Sequence, residues 1–256
     1  MQDLRAKRIL PKKSLGQNFL INQGILSKIV TAAELTKDGL VIEIGPGTGN
    51  LTVKLSEKAG RVIAIEKDHR LINELQEKFK NTNVEIIEGD ALKIDAGALV
   101  NAPLSKASGD WENYKVVANI PYYITSNLLR TIFEKWPKPK LIVLTVQKEV
   151  AQRIIAKPPD MNLLALSVQL YAEPKIISSI SKGSFRPMPK VDSAIIRLLP
   201  KRSDLFADSR SDLELTTHLF AIARAGFSEK RKQLINNLAK NFGMMREDLL
   251  ETFDKV

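Results

Sequence analysis

Asn119, Pro121, Tyr122 and Tyr123 stand close together in "VVANIPYYIT", residues 116–125. A polar amide, a proline and paired aromatics are an odd exit from an apolar run, and the residue types suit one task. The exocyclic nitrogen of an aromatic amine such as adenine is a poor nucleophile, because its lone pair is delocalised into the ring. An enzyme that alkylates it must hold that pair toward the electrophile. The Asn119 side-chain carbonyl and a main-chain carbonyl beside Pro121 can each accept one amine hydrogen. That positions the nitrogen and stabilises the cation that forms, with no strong base required. Tyr122 offers a face on which an unstacked base can lie, while Tyr123 is expected to pack elsewhere. The alternative is a turn in which the asparagine satisfies backbone groups and the tyrosine plugs the core.

A second group lies upstream in "EIGPGTGN", with Gly45, Gly47 and Gly49 ahead of a helix starting near Asn50. Glycines let backbone approach a ligand and set a helix amino terminus beside it. The spacing departs from the GxGxxG of nicotinamide dinucleotide sites, and no Gly-Lys-Ser/Thr follows as in a P-loop. Glu66 and Asp90 then end two further apolar runs. The first suits the two hydroxyls of a ribose, and the second can accept from an adenine amino group. A glycine cradle followed by two acids, with no phosphate-pairing lysine, favours a cationic adenosine derivative over a polyphosphate. S-adenosylmethionine fits that description.

These groups need a scaffold that gathers strand ends. "LVIEI" (40–44), "RVIAIE" (61–66), "VEIIEGD" (84–90), "YKVVAN" (114–119) and "KLIVLTV" (140–146) are β-branched runs, with helical spacing between most of them. That alternation predicts an α/β fold with a doubly wound, mostly parallel, Rossmann-like sheet, whose carboxyl-terminal strand ends line one crevice. "LSVQLYAEPKII" (166–177) and "VDSAIIRLL" (191–199) read as two more strands, an antiparallel terminal pair. After Pro200, "SDLELTTHLFAIARAGF", "SEKRKQLINNLAKNF" and "REDLLETF" carry helical spacing. The reading is a catalytic domain over 1–200 with a basic amino-terminal arm, and a small helical domain over 201–256.

Composition narrows the function classes. The 256 residues are 44% hydrophobic, enough for a core, and include no cysteine and two histidines, so no metal site is expected. No run is long enough to span a membrane and no secretory signal opens the chain, so a cytoplasmic location is expected. The net charge of +10 favours a polyanionic partner. The excess lies in the amino arm (Arg5, Lys7, Arg8, Lys12, Lys13) and between Lys135 and Arg197.

"SLGQNFLIN", "VIEIGPGTGNLT", "VIAIEKD", "EGDAL", "VANIPYYIT", "FRPMPKVDSAIIRL" and "GFSEKRKQLINNL" occur in that order. Together they resemble the bacterial KsgA (RsmA) family of ribosomal RNA small-subunit adenine N6,N6-dimethyltransferases over nearly the whole chain. The resemblance implies transfer of methyl groups from S-adenosylmethionine to N6 of two adjacent adenines near the 3′ end of 16S ribosomal RNA, in a pre-small-subunit particle. It places Asn18 and Leu20 at the cofactor, with Gly45, Gly47, Glu66, Asp90 and Asn119 the other matching positions. Residues 17–19 suit a flap over a ligand, or a helix-entry loop.

Phe185 could stack on the target base opposite Tyr122, or pack in the core. Arg186, Lys190, Lys230, Arg231 and Lys232 are candidate phosphate contacts, the last three expected on a helix. A monomer is the expected state. Two departures from the family pattern stand out: "KPPDMNLLALSVQL" lacks the usual "YG" before "LSV", and the carboxy-terminal domain is short. The erythromycin-resistance methyltransferases, which act on 23S RNA, and a non-catalytic nucleic-acid factor on the same scaffold are the competing readings.

Overall fold

The computed structural model describes residues 11–12, 15–101, 114–201, 210–229 and 232–254. Five parallel strands form most of its main sheet: β2 (Leu40–Ile44), β3 (Arg61–Glu66), β4 (Val84–Glu88), β5 (Lys115–Asn119) and β6 (Leu141–Gln147). β7 (Ala172–Ile180) and β9 (Ser193–Pro200) complete it, in the order β4-β3-β2-β5-β6-β9-β7. β9 runs antiparallel to both β6 and β7, so the expected antiparallel terminal pair is present. All five residues of β2 are buried, as befits a central strand covered on both faces. Alternate residues serve opposite layers. Leu40, Ile42, Ile44, Val116 and Ala118 join one core, while Val41 and Val117 join another with Leu26 and Ile29 of α1 (Gln23–Ala32).

The order of strands fixes where a ligand can sit. β3 and β4 lie to one side of β2, β5 and β6 to the other, so the order in which strands are added reverses between the parallel neighbours β2 and β5. A crevice opens beyond the carboxyl ends at such a switch point. Register places the key residues along it: Ile44 pairs with Ile65 and with Ala118, and Glu66 pairs with Glu88. Gly45, Glu66 and Asn119 are the next residues after Ile44, Ile65 and Ala118, and Asp90 lies two residues beyond Glu88.

One expected strand is a helix at its start. Residues 166–171 belong to α7 (Leu163–Tyr171), capped by Asn162, whose side-chain oxygen accepts the Ala165 N–H at 3.1 Å. Gln169 donates to the carbonyls of Ile154 and Ala156, each at 2.8 Å. A local cap and a two-carbonyl clasp outweigh the β-branched content, and the strand starts at Ala172. Pro174 is tolerated there because β7 is the sheet's edge.

The carboxy-terminal helices are α8 (Arg210–Gly226), α9 (Leu234–Phe242) and α10 (Arg246–Asp254), joined by a small core of Ala225, Leu238 and Leu249. α9 ends at Gly243, whose φ of +65° is the left-handed cap glycine adopts without strain. Lys232 lies in the turn before α9, not on a helix as expected, because Gln233 takes the cap position. Lys230 and Arg231 lie outside the described residues, as do Arg5, Lys7, Arg8 and Lys13. Among the described residues no helix is long and apolar enough to cross a membrane.

Candidate active site

One cavity of about 230 Å³ occupies the switch-point crevice, and every expected cofactor and base position lines it: Asn18, Leu20, Gly45, Gly47, Glu66, Asp90, Asn119, Pro121, Tyr122 and Phe185. The glycine loop is its floor. Gly45 has φ +70° and open space where a Cβ would stand, so the loop leaves the crevice clear. A Cβ at Gly47, φ +58°, would come within 2.8 Å of the Phe19 ring, so glycine there lets the amino-terminal segment close over the loop. Gly49 caps α2 (Asn50–Ser56) in the left-handed region.

Glu66 sits at the end of β3, 6% exposed. Its two oxygens accept the N–H groups of Gly47 at 3.0 Å and Asp68 at 2.8 Å, which ties the carboxylate to the loop and leaves lone pairs toward the crevice. Burial raises its pKa, offset in part by those backbone donors. For Asp90, desolvation pushes the pKa up, but Lys67 and the Leu92 N–H outweigh it and hold the group below its ordinary value. Lys67 donates to Asp90 at 2.9 Å and the Leu92 N–H at 3.1 Å. Carboxylates held ionised or hydrogen-bonded at two strand ends suit a ribose and a base, and the loop carries no lysine aimed at a phosphate.

The amino-terminal segment forms a wall of the crevice. β1 (Phe19–Leu20) pairs antiparallel with β8 (Phe185–Arg186), Phe19 opposite Arg186 and Leu20 opposite Phe185. Asn50 donates to the Leu20 carbonyl at 3.1 Å, and Gln17 donates at 2.9 Å to Asp68, which Arg70 also grips. The arm is thus fastened to α2, to α3 (His69–Lys78) and to the β7–β9 connection. Sequence reasoning missed Asp68 in this fastening, whereas Phe19 belongs to the segment 17–19 read as a flap or a helix-entry loop. Asp68 stood at the end of "VIAIEKD" as a helix-capping residue, which was the available signal.

Asn119 ends β5, and its amide nitrogen donates to the Asn18 carbonyl at 3.2 Å. That bond fixes the amide so that its oxygen is the group left for a ligand. The Pro121 carbonyl accepts from the Ile124 N–H at 3.2 Å, which leaves the Ile120 carbonyl as the main-chain acceptor beside the proline. Tyr122 is half-buried, and its hydroxyl shares a 2.6 Å hydrogen bond with the fully buried Ser193 on β9. Phe185 is 1% exposed and packs with Leu20 and Ile180, so its ring backs the crevice from the core. Tyr123 is not packing residue as expected: it is 61% exposed at the crevice mouth, against Gly16.

Glu43, in the strand beneath the loop, was also missed. It is 1% exposed and lines the crevice, and the buried Thr52 hydroxyl beside it is the one side chain that offsets its burial with a hydrogen bond. Desolvation pushes its pKa up to about 8. The acid of "EIGPG" was visible in the sequence, but its burial was not.

The candidate phosphate contacts divide. Arg186 is exposed beside the crevice wall, donating to the Phe185 carbonyl at 3.0 Å. Lys190 is exposed in a separate depression with Lys148 and Lys182. Lys232, in the turn before α9, pairs with Glu229 at 2.9 Å. Among the described residues no group of histidine or acidic side chains could hold a metal.

A sequence model described as ribosomal RNA adenine dimethylase matches residues 10–255. The protein named ribosomal RNA small subunit methyltransferase A from Dehalococcoides mccartyi (strain ATCC BAA-2266 / KCTC 15142 / 195) is 43% identical over 247 residues, 96% of this chain and 80% of its own. The crystal structure of a dimethyladenosine transferase from Plasmodium falciparum superposes with a TM-score of 0.71 at 35% identity, covering 88% of this chain and 76% of that one. The 23S rRNA methyltransferase ErmE gives a TM-score of 0.67 at 26% identity, covering 87% and 84%. On this match over nearly its whole length, the chain belongs to the ribosomal RNA adenine dimethylase family.

Proposed function

We propose that the protein transfers methyl groups from S-adenosylmethionine to N6 of two adjacent adenines near the 3′ end of small-subunit ribosomal RNA. The observation that carries the reading is Asn119: its amide nitrogen is committed to Asn18, which leaves its oxygen for a ligand, and it lines the crevice together with Gly45 and Glu66. S-adenosylmethionine, when bound, supplies an electrophilic methyl group on a sulfonium centre. Glu66 would hold the ribose hydroxyls, Asp90 the adenine amine, and the glycine loop would admit the rest of the cofactor.

On the substrate side, the Asn119 oxygen and the Ile120 carbonyl accept the two hydrogens of the target amine. Holding both turns the nitrogen lone pair out of conjugation. As positive charge builds on that nitrogen the two acceptors strengthen their hold, which lowers the barrier without a general base. The Tyr122 ring supplies the stacking face, braced by Ser193 from behind. The released proton leaves to solvent through the open mouth beside Tyr123.

Arg186 and Lys190 contact RNA phosphates in this reading, and residues 201–256 dock the particle, with Lys232 available once Glu229 yields it. A pre-small-subunit particle as substrate, action as a monomer and a cytoplasmic location belong to the same proposal. The name of the Dehalococcoides relative supports small-subunit RNA over the 23S alternative, and an intact Asn119, Pro121 and Tyr122 argues against a non-catalytic factor. Incubating undermethylated small-subunit particles with enzyme and S-adenosylmethionine, then analysing nucleosides by mass spectrometry, tests the reading. N6,N6-dimethyladenosine should accumulate, and its absence would refute it.

A further inference from the structure

Of the described residues that line the catalytic crevice, Lys67, Tyr123 and Asn127 alone are exposed, so they form its rim. Lys67 is committed to Asp90 at 2.9 Å. The other two have no such commitment. Tyr123 is 61% exposed, with one edge of its ring against Gly16. Among the described residues its ring stacks on no other ring and its hydroxyl has no hydrogen-bond partner, and the Asn127 carboxamide makes no hydrogen bond. Tyr123 belongs to a 3-10 turn (Tyr122–Ile124) that runs directly into α5 (Thr125–Glu134). Four positions apart on that helical run, the two residues are neighbours on one face. Thr125 and Leu128 of the same run are buried, so the core takes one side and leaves the ring and the amide at the crevice mouth.

We infer that Tyr123 and Asn127 form a subsite for the nucleotide adjoining the target adenine, the ring stacking on its base and the carboxamide reading the base edge. The inference rests on the proposed action on two adjacent adenines. With the target base lying on Tyr122 inside the crevice, the nucleotide joined to it by one phosphodiester must stand at the mouth. It has lost its stacking partner there, and an open aromatic face replaces that partner. A carboxamide presents a donor and an acceptor side by side, which matches N7 and the N6 amine of an adenine. Guanine offers two acceptors along the same edge, so the amide oxygen would meet another oxygen. The subsite therefore favours adenine beside the target, as a substrate with two adjacent adenines requires.

Tyr123→Ala should bind undermethylated small-subunit particles about fivefold to a hundredfold more weakly, the range for losing one base–aromatic stack. Tyr123→Phe should bind them as wild type does, and both variants should keep S-adenosylmethionine affinity within a few fold. The base edge is tested with particles carrying guanosine in place of one of the two adenines. Wild type should bind these about fivefold to a hundredfold more weakly than unaltered particles, the range for one bidentate contact, and Asn127→Ala should abolish most of that difference. Wild-type particle affinity in Tyr123→Ala, or an undiminished preference in Asn127→Ala, would overturn the subsite while leaving methylation intact. A Tyr123→Ala loss of cofactor affinity as large as its loss of particle affinity would also overturn it, by making the ring a prop for the arm at Gly16. A wild-type enzyme that modifies neither adenine would instead overturn the underlying reading, and the subsite with it.

Discussion

At the scale of single residues, the proposed roles separate cofactor binding from chemistry, and each can be tested alone. Glu66→Ala should weaken S-adenosylmethionine binding by roughly tenfold to a hundredfold, the range for losing hydrogen bonds to a charged group, measurable by calorimetry on the folded variant. Unchanged affinity would remove Glu66 from the cofactor site. Tyr122→Ala should lower turnover strongly through lost stacking. Tyr122→Phe loses only the Ser193 hydrogen bond, about 1 kcal/mol, so single-turnover rates should stay within about tenfold of wild type. Equal losses in the two variants would contradict a stacking role.

Glu43 gives a prediction with a sign. The unfolded chain loses this proton near 4.5, whereas the folded chain keeps it to about 8. Stability from the protonated acid is full below the lower value and is lost as pH rises through the upper one, at roughly 1.4 kcal/mol per pH unit in between. Urea unfolding at pH 5 and pH 9 should therefore show Glu43→Gln gaining on wild type at the higher pH. A difference that does not vary with pH would mean that Glu43 is already ionised in the fold.

At the scale of elements, the sheet was legible and the fastenings were not. Runs such as "LVIEI" and "KLIVLTV" announce buried strands because parallel sheets are covered on both faces, and strand-end placement of Glu66, Asp90 and Asn119 followed from topology alone. The helix over 166–171 was misread because "LLALSV" carries apolar residues compatible with either period, and the Asn162 cap settles the matter locally. The β1–β8 pairing was beyond sequence reasoning, since two-residue strands carry no periodic signal and their partners are far apart in the chain. That pairing explains why Phe185 is core: it sets Phe185 opposite Leu20, and both belong to one buried cluster.

The exposed residues around β8 carry a further prediction. Charge reversal of Arg186 and Lys190 together should weaken particle binding and reduce the salt slope by about two, near 0.9 per phosphate contact. S-adenosylmethionine affinity should not move. Equal slopes for wild type and the double variant in a filter-binding titration would place the RNA elsewhere.

At the scale of the whole molecule, the chain joins a switch-point crevice to a helical appendage, and its basic excess lies in the amino arm and between Lys135 and Arg197 rather than in the appendage. The seven ordered motifs conveyed the family because each one marks a strand end, a glycine turn or the arm, the parts whose chemistry leaves little freedom. What they did not convey were groups whose role depends on burial, such as Glu43, or on distant packing, such as Asp68. The central claim is that Asn119 positions an adenine amine for methylation. Its most direct test is single-turnover methyl transfer by Asn119→Ala on undermethylated small-subunit particles, with S-adenosylmethionine affinity measured in parallel. The account predicts a rate lower by about a hundredfold to a thousandfold, cofactor affinity within a few fold of wild type, and all residual product on the two adjacent adenines. A wild-type rate in the variant would contradict it.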